Sequence, residues 1–160
     1  MIVEVLCLEI KRNQIMNVYS KSKNWREKIL SNFASTPFVI KINNEEYQCA
    51  SVEGFWQGLK CKGDMRLHVF GLVGMYAKRA GKGKNTKTIK IAGEEFKYGS
   101  KRHEELIREA IKQKVLQNPQ VYKVLKESKG KITHRVPSKS KPVIKMENLL
   151  MSVRSELFGH

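Results

Sequence analysis

Apolar positions along the chain change period several times, and each change marks an element. "IVEVLCLEI" (residues 2–10) alternates as a strand does, and "QIMNVYS" (14–20) reads as a second strand. "KSKNWREK" reads as a polar connection. "ILSNFASTPFVIKI" holds Pro37 in a loop and then a short strand from Phe38 to Ile42, and "NNEE" forms a turn. Ser51 is placed to cap a helix over Val52–Cys61. Gly63 breaks that helix, and Asp64 caps a second one running to about Arg79. "AGKGKNTK" is a loop, and "TIKI-AG-EEFKY" is a hairpin turning at Ala92-Gly93.

The strongest helical period begins at Ser100 or Lys101, with Leu106, Ile107, Ala110, Ile111 and Val115 on one face. Asn118-Pro119 ends it and starts another helix carrying Val121, Val124 and Leu125. "KITHRV" is a short strand, "PSKSKP" a polar loop, and "MENLLMSVRSELF" a closing amphipathic helix. The pattern predicts one compact α+β domain over residues 1–160, mostly helical with a small sheet. No repeat and no long biased segment divides it.

Composition bounds the rest. The chain has 160 residues and 41% hydrophobic content, enough to bury a core. No apolar run approaches the ~20 residues of a membrane-spanning helix. The N-terminal run is short, is broken by Glu4 and Glu9, and has no basic flank or cleavage site. A cytoplasmic protein without membrane contact is therefore expected. Cys7, Cys49 and Cys61 are an odd number without close spacing, which argues for reduced thiols. His68, His103 and His134 are scattered, so neither a metal site nor a cofactor is expected.

Charge changes the picture more. Residues 1–59 carry seven basic and six acidic side chains, a net of +1; residues 60–160 carry twenty-four and nine, a net of +15. Such a field captures polyanions and points to nucleic acid or a nucleotide as partner.

Candidate chemistry is concentrated in "SVEGFWQGLKC" (51–61). On a helix, Val52, Phe55, Trp56 and Leu59 form an apolar face. Glu53, Gln57 and Lys60 lie at i, i+4 and i+7, a neighbouring polar stripe, and Gly54 and Gly58 lie on a third face. Two glycines cost such a helix about 1 kcal/mol each against alanine, so they point to close approach by another backbone or a ligand. Spacing alone leaves Glu53 and Lys60 open between surface charges and a site.

"ILSNFASTPFVI" followed by "EEYQCASVEGFWQGLKC" resembles the NADAR or YbiA-like family. The matching residues are Ser31-Asn32-Phe33, Pro37, Ser51, Glu53, Trp56, Gln57 and Lys60. "REAIKQKVLQNPQVYKVL" resembles a second family segment and places Lys114, Gln117 and Asn118. The resemblance covers roughly residues 29–128. It implies a small α+β fold and an enzyme that hydrolyses N-glycosidic bonds without a metal. The implied substrates are ADP-ribose attached to guanine bases or ribosylated pyrimidine phosphates of riboflavin metabolism. A non-catalytic reader of ADP-ribose or nucleic acid is the alternative from another class.

By that resemblance Glu53 and Lys60 are catalytic. Asn32, Phe33, Trp56, Gln57, Lys114 and Asn118 bind substrate, and the basic run 78–84 contacts phosphates. Glu53 can stabilise an electron-poor anomeric carbon, clamp a ribose hydroxyl or activate water. Lys60 can attack the ring-opened sugar C1 to give a Schiff base. The C-terminal part departs from the family's acidic and Trp-Gly-containing segment, and His134 is the residue there that can reach the site. The large positive charge favours removal of ADP-ribose from guanine in nucleic acid over action on a free metabolite.

Overall fold

A computed structural model describes residues 15–135 and 142–160. The strand expected over 2–10 and Cys7 lie outside these residues, as does most of the "PSKSKP" segment. Among the described residues, seven helices and three two-stranded ladders make an α+β fold. The order is β1 (Met16–Asn17), α1 (Trp25–Leu30), β2 (Phe38–Ile42), β3 (Glu45–Cys49), α2 (Val52–Gly58), α3 (Gly63–Phe70) and α4 (Gly74–Ala80). It continues with β4 (Thr88–Ile91), β5 (Glu94–Lys97), α5 (Lys101–Gln117), α6 (Pro119–Glu127), β6 (Ile132–Thr133) and α7 (Met146–Phe158).

The first departure from expectation is α1, which occupies what reads as a polar connection. Asn24 caps it by accepting from the Arg26 N–H at 3.0 Å. Glu27 then ties the preceding turn back onto the helix, accepting from the Asn17 N–H and the Ser22 hydroxyl. Only Leu30 is buried, so the helix depends on these polar contacts and carries no apolar period to announce it.

Two further boundaries move. The Asn43-Asn44 pair alone makes the β2–β3 turn, both residues having positive φ, and Glu45 and Glu46 pair with Ile42 and Lys41. This is the two-residue turn that suits strand twist, and asparagine tolerates its left-handed backbone. The helix expected from Asp64 to Arg79 is two helices, because Gly71 closes α3 and Gly74, at φ +53°, restarts the chain as α4. Asp64 lies within the first turn of α3, while Lys62 occupies the cap position without a side-chain bond. The hairpin at Ala92-Gly93 and the start of α5 at Ser100 stand where expected; Ser100 accepts from the His103 N–H.

Helix α5 is the spine. Its buried stripe, Leu106, Ile107, Ala110, Ile111 and Val115, joins β2, α2, α6 and α7 in one apolar cluster. At the end of α5 the Gln117 amide accepts from the Val39 N–H and donates to the Val39 carbonyl, both at 2.8 Å, so it pairs with β2 as a strand would. Arg154 of α7 is buried and donates to Gly130 O at 2.8 Å, holding the segment before β6. The parallel pair β1–β6 (Met16↔Ile132, Asn17↔Thr133) brings the C-terminal segment back past the N-terminal one. That crossing delivers His134 to the region behind α2. No helix among the described residues is long and apolar enough to cross a membrane.

Candidate functional site

Helix α2 begins where expected. The Ser51 hydroxyl accepts from the Gly54 N–H at 2.9 Å and donates to Leu72 O at 2.8 Å, so one side chain caps α2 and fixes the α3–α4 connection. The helix proper stops at Gly58, earlier than the expected Cys61. Tight turns (Lys60 N–H to Gln57 O, Cys61 N–H to Gly58 O) carry the chain on so that Lys60 stays beside the stripe. Phe55 and Leu59 are core residues.

The two glycines are explained by packing. A Cβ on Gly54 would meet Leu72 O at 2.5 Å, and one on Gly58 would meet the Phe70 ring at 2.2 Å. Helix α3 and the α3–α4 connection thus press against α2 on its glycine edge, while the Glu53–Gln57–Lys60 stripe lies on another face. Gly81, at the end of α4, lies directly against the Gln57 side chain.

Gln57 is buried, and its Nε2 donates to Glu53 Oε1 at 2.8 Å. Burial pushes the Glu53 carboxyl above the usual carboxylate range; the Gln57 bond and the charges of Lys78, Lys60 and His134 pull the other way. Burial pulls the Lys60 amine below the usual lysine range, and Glu53 opposes that shift. Each residue therefore lies in the other's field, and each is held away from its solution protonation balance.

Aromatic rings wall the stripe. Trp56 stands edge-on to Tyr98, 5.9 Å between centroids, and 4.9 Å from the His103 ring. The Lys60 ammonium lies 5.9 Å from the Tyr98 ring centre. His103 is fully buried; its Nδ1 accepts from the Gly99 N–H at 2.9 Å, which leaves the proton on an unpartnered Nε2. Burial first, and Lys60 second, pull its pKa down to about 4, so it stays neutral.

The other expected residues divide. The Asn32 carbonyl accepts from the Glu53 N–H at 3.0 Å, and the Asn32 side chain lines a narrow cavity with Lys114 and His134. Lys114 is buried, donates to Ser31 O at 2.8 Å and has its pKa pulled down to about 7 by burial alone. His134 Nδ1 faces Val18 O at 2.7 Å. With a carbonyl as partner that nitrogen is the donor. These residues adjoin the Glu53 stripe. Phe33 instead lines a separate groove with Trp25 and Lys28, and the Lys78 ammonium lies 6.0 Å from its ring centre. The Asn118 amide spends both donors on Pro37 O and Lys114 O, at the far end of α5.

Three residues of this region escape the sequence reading. Glu147, on the first turn of α7, lines the cavity opposite Lys114 and supplies an acidic group there. Tyr98 and His103 complete the wall around Trp56. The hairpin and the α5 cap bring those two to the site, and no local motif marks either.

Residues 24–153 match the family described as Bacteriophage protein GP30.3. The chain belongs to that family. The GP30.3 match spans all the elements that build the site, from α1 to most of α7. No protein of curated function matches this chain. Among solved structures it is similar to the NMR structure of the E. coli protein YbiA, with a TM-score of 0.62 and 22% identity over 91% of this chain and 86% of that one. At that identity the likeness is one of fold, and the YbiA-like fold expected from the motifs is the fold observed.

Proposed function

We propose that this protein hydrolyses an N-glycosidic bond, removing ADP-ribose from guanine bases of nucleic acid. The observation that carries the reading is the Glu53–Lys60 pair. A carboxylate and an amine share one shielded stripe, each with its protonation shifted by burial, beside an aromatic wall. The motif resemblance and the YbiA-like fold support the same chemistry, and the formal net charge of +16 suits a polyanionic substrate.

In this reading the Lys60 amine, whose neutral form burial favours, adds to C1 of the ring-opened sugar. The C1–N bond to guanine then breaks, its electron pair stays on the base nitrogen, and that nitrogen takes up a proton. Water hydrolyses the resulting Schiff base, freeing Lys60 and ADP-ribose. Glu53, steadied by Gln57, offsets the positive charge that develops at C1 and relays protons. Trp56 packs on the sugar or base. Asn32 and Lys114 serve the sugar and phosphates from the adjoining cavity.

Incubation with an oligonucleotide bearing ADP-ribosylated guanine tests the activity, and released ADP-ribose is the expected product. Borohydride added during turnover should trap the sugar on wild-type protein and not on Lys60→Ala. Lys60→Ala and Glu53→Gln should each lose at least about 100-fold in rate, the usual contribution of a group acting directly in proton transfer or covalent attack. The ascending limb of the pH–rate profile should level off below the usual lysine range, because only the neutral amine attacks. Absence of release by wild-type protein would refute the reading, and ADP-ribose binding without release would mark a reader instead.

A further inference from the structure

A second cavity opens beside Lys60, on the far side from Asn32. It is a groove of about 250 Å³ between the turn that follows α2 and strand β4. Lys60, Lys62, Arg66, Thr86, Lys87 and Lys90 line it, and no carboxylate does. We propose that this cleft binds phosphates of a nucleic-acid strand and leads that strand to the Glu53–Lys60 site. The direction of the track rests on the function proposed above; the binding itself does not.

The cleft is built rather than incidental. Arg66 donates to Gly58 O, Leu59 O and Lys90 O, at 3.1, 3.1 and 2.7 Å, so its guanidinium pins both walls while adding positive charge. The Thr86 hydroxyl donates to Lys60 O at 3.3 Å and closes the end nearest the site. Lys90 faces Glu95 across the hairpin at 3.7 Å, both well exposed, a pairing too weak to occupy it. Lys62 and Lys87 are exposed and have no carboxylate partner among the described residues. Lys62 also opens α3, an eight-residue helix whose first amides have no side-chain cap, and amides so placed add a partial positive charge at the same wall.

The extent of the charge favours a strand over a lone diphosphate. Residues 78–90 hold six basic side chains and no acidic one. Gly81 packs this segment onto Gln57, so the run starts at the candidate site and continues past Lys82 and Lys84 to the cleft. A free diphosphate would be saturated by two or three of these cations. A polymer uses the whole row, releasing counterions at each contact.

The test is fluorescence anisotropy with an unmodified single-stranded oligonucleotide over a range of salt, using the full chain. Lys62→Glu combined with Lys87→Glu should weaken binding by about tenfold or more, and should flatten the plot of log affinity against log salt by ~0.7 per lysine. Lys41→Glu with Lys123→Glu makes the same change in net charge at exposed positions on β2 and α6, and should leave the slope in place. Binding of free ADP-ribose, followed by calorimetry, should be unaffected by the cleft variant. Equal losses in the two double variants, or no loss in either, would overturn the proposal. So would a parallel loss of free ADP-ribose binding, which would make the cleft a diphosphate pocket. A protein that binds the oligonucleotide through the cleft yet releases no ADP-ribose would fail only the hydrolase reading.

Discussion

Lys114 shows how far single residues here depart from what folding alone would select. It is a lysine with 2% of its surface exposed, no ion pair with a carboxylate among the described residues and one hydrogen bond there, to Ser31 O. That carbonyl also accepts from the Ala34 N–H at 3.1 Å, so loss of the lysine would not orphan it. Burial brings the folded pKa to about 7, against roughly 10.4 for a lysine in an unfolded chain. Between those values the unfolded chain holds more protons, so stability rises with pH across that window and falls as pH drops through 7. Lys114→Met should therefore stabilise the protein by about 1–4 kcal/mol at pH 6–7, as when other buried charges yield to apolar side chains. The gain should shrink toward pH 10. Chemical denaturation of both proteins at pH 6, 8 and 10 checks it; a destabilised variant at pH 6 would contradict it. A variant more stable yet less active is the expected mark of a residue kept for substrate rather than for packing.

Among the elements, α2 shows two of its faces serving different ends. Its glycine edge lets α3 and the α3–α4 connection approach until backbone carbonyls touch it, while the Glu53 stripe lies on another face. Gly54→Ala should cost stability. The helix gains about 1 kcal/mol from alanine, but a Cβ at 2.5 Å from Leu72 O meets backbone that cannot swing aside, an overpacking penalty of about 1–3 kcal/mol. A fall of several degrees in Tm is expected for a chain of this size. An unchanged or higher Tm would show that the α3–α4 connection yields. Both faces are legible in the spacing of "SVEGFWQGLKC", since a 100° turn sorts Glu53, Gln57 and Lys60 from Gly54 and Gly58. That spacing does not say whether backbone or ligand fills the glycine side. Helix α1 is hidden in the sequence because capping and Glu27 hold it, with a single buried leucine. The break between α3 and α4 is hidden because both have polar and apolar residues in positions that fit one continuous helix.

For the whole molecule, the candidate site is assembled by long-range crossings, and these set the limit of what is legible. Asn32, Glu53, Trp56, Lys60 and Lys114 stand in motifs and can be found one by one. Tyr98, His103 and Glu147 reach the same region only through the β4–β5 hairpin, the spine α5 and the closing helix α7. His134 arrives through a two-residue parallel pairing, which no local pattern can announce. Charge is readable at this scale from composition, as the difference between +1 and +15 in the two parts of the chain. Its concentration around one groove depends on the fold.

The Gln117 amide on β2 has a consequence for how copies of this protein meet. A two-stranded ladder offers open N–H and C=O groups at its outer edge, a template for strand addition and amyloid-like growth. By bonding both polar groups of Val39, Gln117 fills the place a neighbouring chain would take. Gln117→Leu should leave the secondary structure intact while making the protein prone to ordered aggregation through residues 38–42. Thioflavin fluorescence and light scattering on concentrated samples would register it, and a variant as clear and monodisperse as wild type would show that the edge is guarded by other means.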